Sequence, residues 1–171
     1  MSDESTPNYE QAFAPHPEVF AAWRQLSAAI TDGMDDRRYA LATLAAARAI
    51  RSSYCSLAHG KMLAETFDEP VAAIVTNRHD AGLSPEDIAV MDLAELVATD
   101  APSVGEADRQ RLHDLGLSDQ EIAQVVMTAA ARCFFAKTLD GLGVRPDASY
   151  LDLSDELRAA LVVGAPIDDP T

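Results

Sequence analysis

With 171 residues, 48% hydrophobic and 24% charged, the chain can bury a core of its own and is too apolar for wholesale disorder. Thirteen Lys and Arg stand against 28 Asp and Glu, a net charge of −15 that repels phosphate backbones and anionic lipid. Nucleic-acid and membrane partners are therefore not expected, and no apolar run approaches the ~20 residues of a bilayer span.

The acidic, polar start, Met1-Ser2-Asp3-Glu4-Ser5-Thr6-Pro7, lacks a signal-peptide pattern. Two cysteines, Cys55 and Cys133, are too few for a disulfide framework, so a cytoplasmic setting with reduced thiols is the expectation. Residues 1–8 read as a disordered tail, 9–164 as one domain and 165–171 as a loose acidic tail.

His16-Pro17-Glu18-Val19 predicts a helix start with Pro17 in the first turn. Val19, Phe20, Trp23, Leu26 and Ile30 then form an apolar stripe that ends near Gly33. Trp23, the only tryptophan, reads as a core anchor, with a subunit contact or pocket wall as the alternative. Asp35-Asp36 opens a second helix, which runs through Leu41, Leu44, Ala45 and Ala46 to about Ile50. Its alanines predict close helix–helix approach. A third helix from Ser52 or Ser53 fades near Phe67, and Asp68-Glu69-Pro70 starts a short fourth.

Gly82-Leu83-Ser84-Pro85-Glu86-Asp87 is a helix start with a serine cap and an acid three residues on. Gly116-Leu117-Ser118-Asp119-Gln120-Glu121 repeats it 34 positions later. Two copies of a capping box make the same cap used twice rather than a repeat array. Between them, Glu106 to Leu115 reads as a short amphipathic helix. The longest helix runs from Asp119 to about Leu142 and stops at Gly141, Gly143 and Pro146. Ser154 caps a last helix ending at Gly164-Ala165-Pro166. With no alternating strand pattern, the fold class is all-α.

The chemistry concentrates in Arg51-Ser52-Ser53-Tyr54-Cys55-Ser56-Leu57-Ala58-His59-Gly60. Residues four apart share a helix face, so Cys55 and His59 come within reach of each other. Ser52 or Ser53 serves as N-cap, its hydroxyl accepting from a first-turn amide. Cys55 then sits where free amides and the helix dipole favour a thiolate, with His59 as base or counter-charge. Core packing is the competing role for Cys55, as free cysteine is among the most buried residue types. Two ligands do not close a zinc site, so neither metal nor cofactor is expected.

The order of these pieces resembles the carboxymuconolactone decarboxylase / alkylhydroperoxidase-D (AhpD)-like family. The resemblance runs from about His16 to Tyr150. It rests on His16-Pro17-Glu18-Val19 with Trp23, Asp36-Arg37-Arg38, the run from Ser52 to His59, Leu83-Ser84-Pro85, Gly116 to Ile122, and Cys133-Phe134-Phe135 to Leu142-Gly143-Val144. It implies an AhpD-like helical bundle. In the family's peroxidase branch a Cys-x-x-Cys-x-x-x-His motif attacks a hydroperoxide with its second cysteine. The first cysteine resolves the product, and the histidine joins a proton relay with an upstream glutamate.

Carried over, Cys55 matches the attacking cysteine and His59 the histidine, with Tyr54 beside them in the same run. Ser52 replaces the resolving cysteine and Ala40 the relay glutamate, for which Asp36, one turn earlier, is the candidate substitute. The resemblance thus implies a thiol-dependent hydroperoxide reductase-like (peroxiredoxin-type, antioxidant) enzyme reduced by an external thiol, or by Cys133 should that approach. Two alternatives stay open. One is a lyase of the decarboxylase branch acting on a lactone-type acid, with His59 and Arg37, Arg38 or Arg51. The other is a non-catalytic helical binding or scaffold protein. The family also implies a homo-oligomer, trimer or hexamer.

Overall fold

The middle of the molecule is one helix whose residues 40–47 are all buried, in the computed structural model of residues 6–169. In chain order the helices are α1 (Asn8–Ala12), α2 (Pro17–Thr31), α3 (Asp36–Ala49), α4 (Ser53–Thr66) and α5 (Val71–Thr76). They continue as α6 (Pro85–Asp100), α7 (Glu106–Asp114), α8 (Asp119–Gly141) and α9 (Asp155–Leu161), with 3-10 turns at Ala101–Ser103 and Ala148–Asp152. No strand occurs among the described residues, as the all-α reading expects.

α3 is the central helix because it is surrounded: α4, α6 and α8 all pack on it. Ala40, Ala42, Ala45, Ala46 and Ala47 make this possible, since small side chains let helix axes approach without voids. Asp35 caps it, its carboxylate accepting from the Arg38 N–H at 2.8 Å.

Arg37 and Arg38, in the first turn of α3, explain why one cap appears twice in the chain. Both capping boxes form, Ser84 with Asp87 and Ser118 with Glu121. Arg37 donates to both oxygens of Asp87 at 2.9 and 3.2 Å, and to Glu69 at 2.5 Å. Arg38 donates to Glu121 at 2.6 Å and Glu86 at 2.5 Å. Adjacent arginines thus tie the N-termini of α6 and α8 to the start of α3.

The α3–α4 junction is a tight reversal. The Ser52 N–H donates to the Ala47 carbonyl at 2.8 Å and the Arg51 N–H to that of Arg48 at 3.0 Å, the two bonds of a Schellman motif. Arg51 occupies its left-handed position, with φ 61°, where glycine is usual and a side chain costs ~1 kcal/mol. Gly164 packs against this turn so closely that a Cβ there would lie 2.1 Å from the Arg51 carbonyl oxygen.

Four expectations need correction. α1 falls where no periodicity predicts a helix; its five residues are held by distant partners, the Asn8 N–H donating to Asp147 at 2.8 Å. α9 ends at Leu161 rather than Gly164, because the Val163 and Gly164 N–H groups turn to Ser53 Oγ at 3.1 and 2.8 Å. The C-terminal stretch is not loose over residues 165–169: Ile167 packs on the core and the Asp168 N–H donates to the Pro146 carbonyl at 2.8 Å. Residues 1–5 of the predicted N-terminal tail lie outside the described residues.

The fourth concerns α8, which is long and apolar enough by length and composition to cross a membrane, contrary to the sequence count. It is a core helix all the same, since Ile122, Val125, Ala129, Ala136 and Leu139 line its buried face.

Candidate functional site

Cys55 is the third residue of α4 and only 2% exposed. Around it lies an aromatic cluster distinct from the aliphatic core: Phe13, Trp23, Tyr54 and Phe135, with Ala47, Ala136 and Leu139. Phe135 is its hub, stacked on Trp23 with centroids 4.9 Å apart and on Phe13 at 5.7 Å. The rings come from the residue after α1, from α2, from α4 itself and from α8, and Cys55 is buried among them.

The polar group that reaches the sulfur comes from α8. Arg132 is 7% exposed, and its Nη1–H donates to Cys55 Sγ at 3.7 Å. Its Nη2–H donates to the Tyr39 hydroxyl at 2.7 Å. The guanidinium carbon lies 5.5 Å from the Phe135 ring centroid and 5.8 Å from that of Trp23, so both faces give it cation–π support. Its Nε–H is buried and meets no acceptor. No carboxylate pairs with Arg132 among the described residues. In a chain with more than twice as many acids as bases, this is a buried cation without a counter-ion.

His59 stands one turn beyond Cys55, 8% exposed. Burial, reinforced by the Arg132 charge, drives its pKa well below the ordinary histidine value, so the imidazole is neutral. Its Nδ1 is buried without a partner, and among the described residues no hydrogen bond joins it to Cys55. It meets Tyr39 edge to face instead, centroids 5.3 Å apart. The connected set runs Cys55–Arg132–Tyr39–His59, with arginine and tyrosine between the two residues the spacing had paired directly.

Tyr54 donates to Asp147, and its hydroxyl accepts from the Tyr9 N–H at 3.4 Å. Burial and Asp147 push the Tyr54 phenol up, which keeps it a donor. Tyr150 packs edge-on against Tyr54 at 6.1 Å; burial, Asp147 and then Cys55 push it up to about 12.

The other predicted residues fall differently. Ser52 is the N-cap by position and fully buried, but its hydroxyl caps no amide and meets no hydrogen-bond partner. Ser53 holds the C-terminal segment rather than the helix start. Asp36 is exposed in the first turn of α3 and bonds to nothing in the site, whereas Ala40 is fully buried. A methyl group therefore occupies the position read as the relay carboxylate. Cys133 turns away to α6, its thiol donating to the Ala98 carbonyl at 3.9 Å, and burial pushes that thiol up. Both cysteines are free.

Arg37, Arg38 and Arg51, the candidates for a lyase pocket, are engaged with Glu69 and Asp87, with Glu86 and Glu121, and with the Val163 carbonyl. A cavity of about 730 Å³ opens elsewhere, beside Arg48, Arg78 and Arg111. None of the site residues lines it, and Asp92 and Glu95 pair with its Arg78 and Arg111. Among the described residues no cluster of three or more His, Cys, Asp or Glu side chains could hold a metal ion.

Solved structures share this helix arrangement. One, an uncharacterised peroxidase-related protein from Ralstonia eutropha JMP134 described as an alkylhydroperoxidase AhpD core, superposes with a TM-score of 0.78 and 23% identity. Another, an uncharacterised peroxidase-related protein from Silicibacter sp. TM1040, gives 0.77 and 20%. Each match covers 85% of this chain and 79% of the other. The chain has the AhpD-core fold. No protein-family model and no curated protein matches it by sequence. The likeness these structures show is one of fold.

Arg132 and Tyr39 are the site residues that sequence reasoning missed. A signal was present: Arg132 is a lone charge within Met127-Thr128-Ala129-Ala130-Ala131-Arg132-Cys133-Phe134-Phe135, on a helix otherwise buried along that face.

Proposed function

We propose that the protein is a thiol peroxidase in which Cys55 attacks the peroxide and Arg132, rather than a carboxylate–histidine relay, supplies the charge that the reaction needs. The observation that carries this is the Arg132 Nη1–H donating to Cys55 Sγ from a guanidinium that has no carboxylate partner. A fixed cation at the sulfur stabilises negative charge there, as an ammonium or imidazolium does beside reactive cysteines. His59 is a poor candidate for that cation, since burial and Arg132 together hold it neutral. It remains as a neutral ring packed edge to face with Tyr39.

The Cys55 sulfur attacks one peroxide oxygen; an S–O bond forms, the O–O bond breaks, and the departing oxygen leaves as water or alcohol carrying the proton that the Cys55 thiol gives up. Cys55 becomes a sulfenic acid. Ser52 offers no thiol and Cys133 faces α6. An external thiol therefore condenses with the sulfenic acid, releasing water, and a second equivalent displaces Cys55 as thiolate and leaves as disulfide.

The test is the rate at which peroxide oxidises Cys55 in the wild type, Cys55→Ser, Arg132→Met and Arg132→Lys, read by mass spectrometry as loss of the free thiol after a denaturing quench, because Cys55 is buried in the folded chain. Loss of an aligned charge-assisted donor costs ~10²-fold in Arg132→Met. Arg132→Lys recovers part of it, as lysine keeps the charge without the planar fork. Equal rates in wild type and Arg132→Met sink the proposal.

A further inference from the structure

We infer that the cavity of about 730 Å³ between α3, α5, α6 and α7 binds a small organic monocarboxylate with an apolar body, held by Arg48. The volume is that of ordinary small-molecule sites. No residue of the cluster around Cys55 lines it, so the site stands apart from the thiol-peroxidase reading.

Arg48 supplies the charge. It lies in the last turn of α3, and its Nη1–H donates to the Ala160 carbonyl, which fixes the plane of the guanidinium. That leaves the parallel Nε–H and Nη2–H edge without a hydrogen-bond partner among the described residues, and neither nitrogen is shut away from solvent. Two parallel donors form the fork that the two oxygens of a carboxylate fit.

The acids on the cavity wall are engaged elsewhere. Glu95 accepts from Arg78, Asp92 from Arg111 at 3.1 Å, and Asp108 from the Gly105 N–H at 2.8 Å. Burial and then the Arg78 charge lower the Arg48 pKa, and Glu95 opposes them less strongly. Arg48 is thus a cation with more repulsion than attraction around it, which a negative guest would relieve. Beside three wall carboxylates, one negative charge on that guest is tolerated better than two.

The rest of the wall takes the apolar body. Ala45 and Ala49, four apart on one face of α3, leave the space beside Arg48 open because a methyl group fills little of it. Ile74 and Val75 of α5 and Leu96 of α6 line it with branched aliphatic carbon.

The probe is octanoate, titrated calorimetrically into the full chain beside octylamine, octanol, octyl phosphate and acetate. Octanoate should bind at least about 10-fold more tightly than any of the other four, which lack the charge, its sign, its single value or the apolar body. Arg48→Met should weaken octanoate by at least about 10-fold, and Arg48→Lys by less, since lysine keeps the charge and loses the fork. Ala49→Leu, which fills the wall beside Arg48, should weaken octanoate while the melting temperature stays near that of the wild type. Cys55→Ser should bind as the wild type does.

Absence of octanoate binding, or octanol or octylamine binding as tightly, would overturn the site. Equal binding of acetate would overturn the apolar body, and equal or tighter binding of octyl phosphate the monocarboxylate. An octanoate affinity untouched by both Arg48→Met and Ala49→Leu would place the ligand elsewhere and overturn the assignment. If Arg48→Met fails to fold, Ala49→Leu and the wild-type series decide the matter. Weaker binding in Cys55→Ser would overturn the separation from Cys55, whereas failure of peroxide to oxidise Cys55 defeats the thiol-peroxidase reading and leaves this site standing.

Discussion

His59 shows how one side chain carries the burial of its surroundings into a measurable property. Its ordinary pKa is about 6.5, and in the folded protein burial and Arg132 lower it well below that. The unfolded chain therefore binds a proton that the folded chain refuses, and stability rises with pH across that interval. Below about pH 6.5 the protein should lose stability by up to ~1.4 kcal/mol per pH unit from this residue. Glu121 acts in a separate window. The Ser118 N–H and then Arg38 hold its carboxyl down to about 2, so its contribution is present above about pH 4.5 and lost as pH falls toward 2. Urea unfolding midpoints should drop as the pH is lowered from 7 to 5 in the wild type, and that dependence should flatten in His59→Gln. An identical slope in the variant contradicts the neutral, buried imidazole.

At the scale of elements, the C-terminal segment braces the helix that carries Cys55. Leu161 of α9 packs over Gly60 of α4, where a Cβ would meet its Cδ2 at 2.4 Å, while Gly164 meets the Arg51 carbonyl at 2.1 Å. The two contacts differ in what must yield. A leucine side chain can rotate; a carbonyl in the turn that launches α4 cannot move without shifting the helix start. Gly164→Ala should therefore lower stability by ~1–3 kcal/mol and by more than Gly60→Ala, read as denaturant midpoints. The reverse order would show that the turn is softer than its Schellman bonds imply.

For the molecule as a whole, the charge pairs at the start of α3 do what aliphatic packing alone does not: they fix the ends of α6 and α8 relative to one another. Arg37 is less than a third exposed and bonds bidentately to a partly buried Asp87. Arg37→Ala should cost ~1–2 kcal/mol, since it leaves Asp87 and Glu69 without their shared cation. An isolated exposed pair would give less than half of that. Heat denaturation of Arg37→Ala at two salt concentrations checks the assignment: a partly buried pair keeps most of its effect at high salt.

The helices were legible in the sequence because their causes are local. Pro17, Asp35, Ser84, Ser118 and Ser154 mark starts by supplying a preset φ or an acceptor to neighbouring amides, and α3 announces its central place by its alanines. The position of Cys55 near the start of α4 was equally local. What encloses the sulfur was not. Arg132 lies 77 positions away and Tyr39 reaches the site through it, so only the packing of α3, α4 and α8 brings them together. The serine that seemed a cap is drawn off by a segment 110 residues downstream, because a buried hydroxyl bonds whichever amide the tertiary structure presents. Sequence alone determined an all-helical chain with one thiol near a helix start. Tertiary structure decided that this thiol faces an unpaired guanidinium and not a histidine, because side-chain charges lose their water and find their partners only when the helices pack.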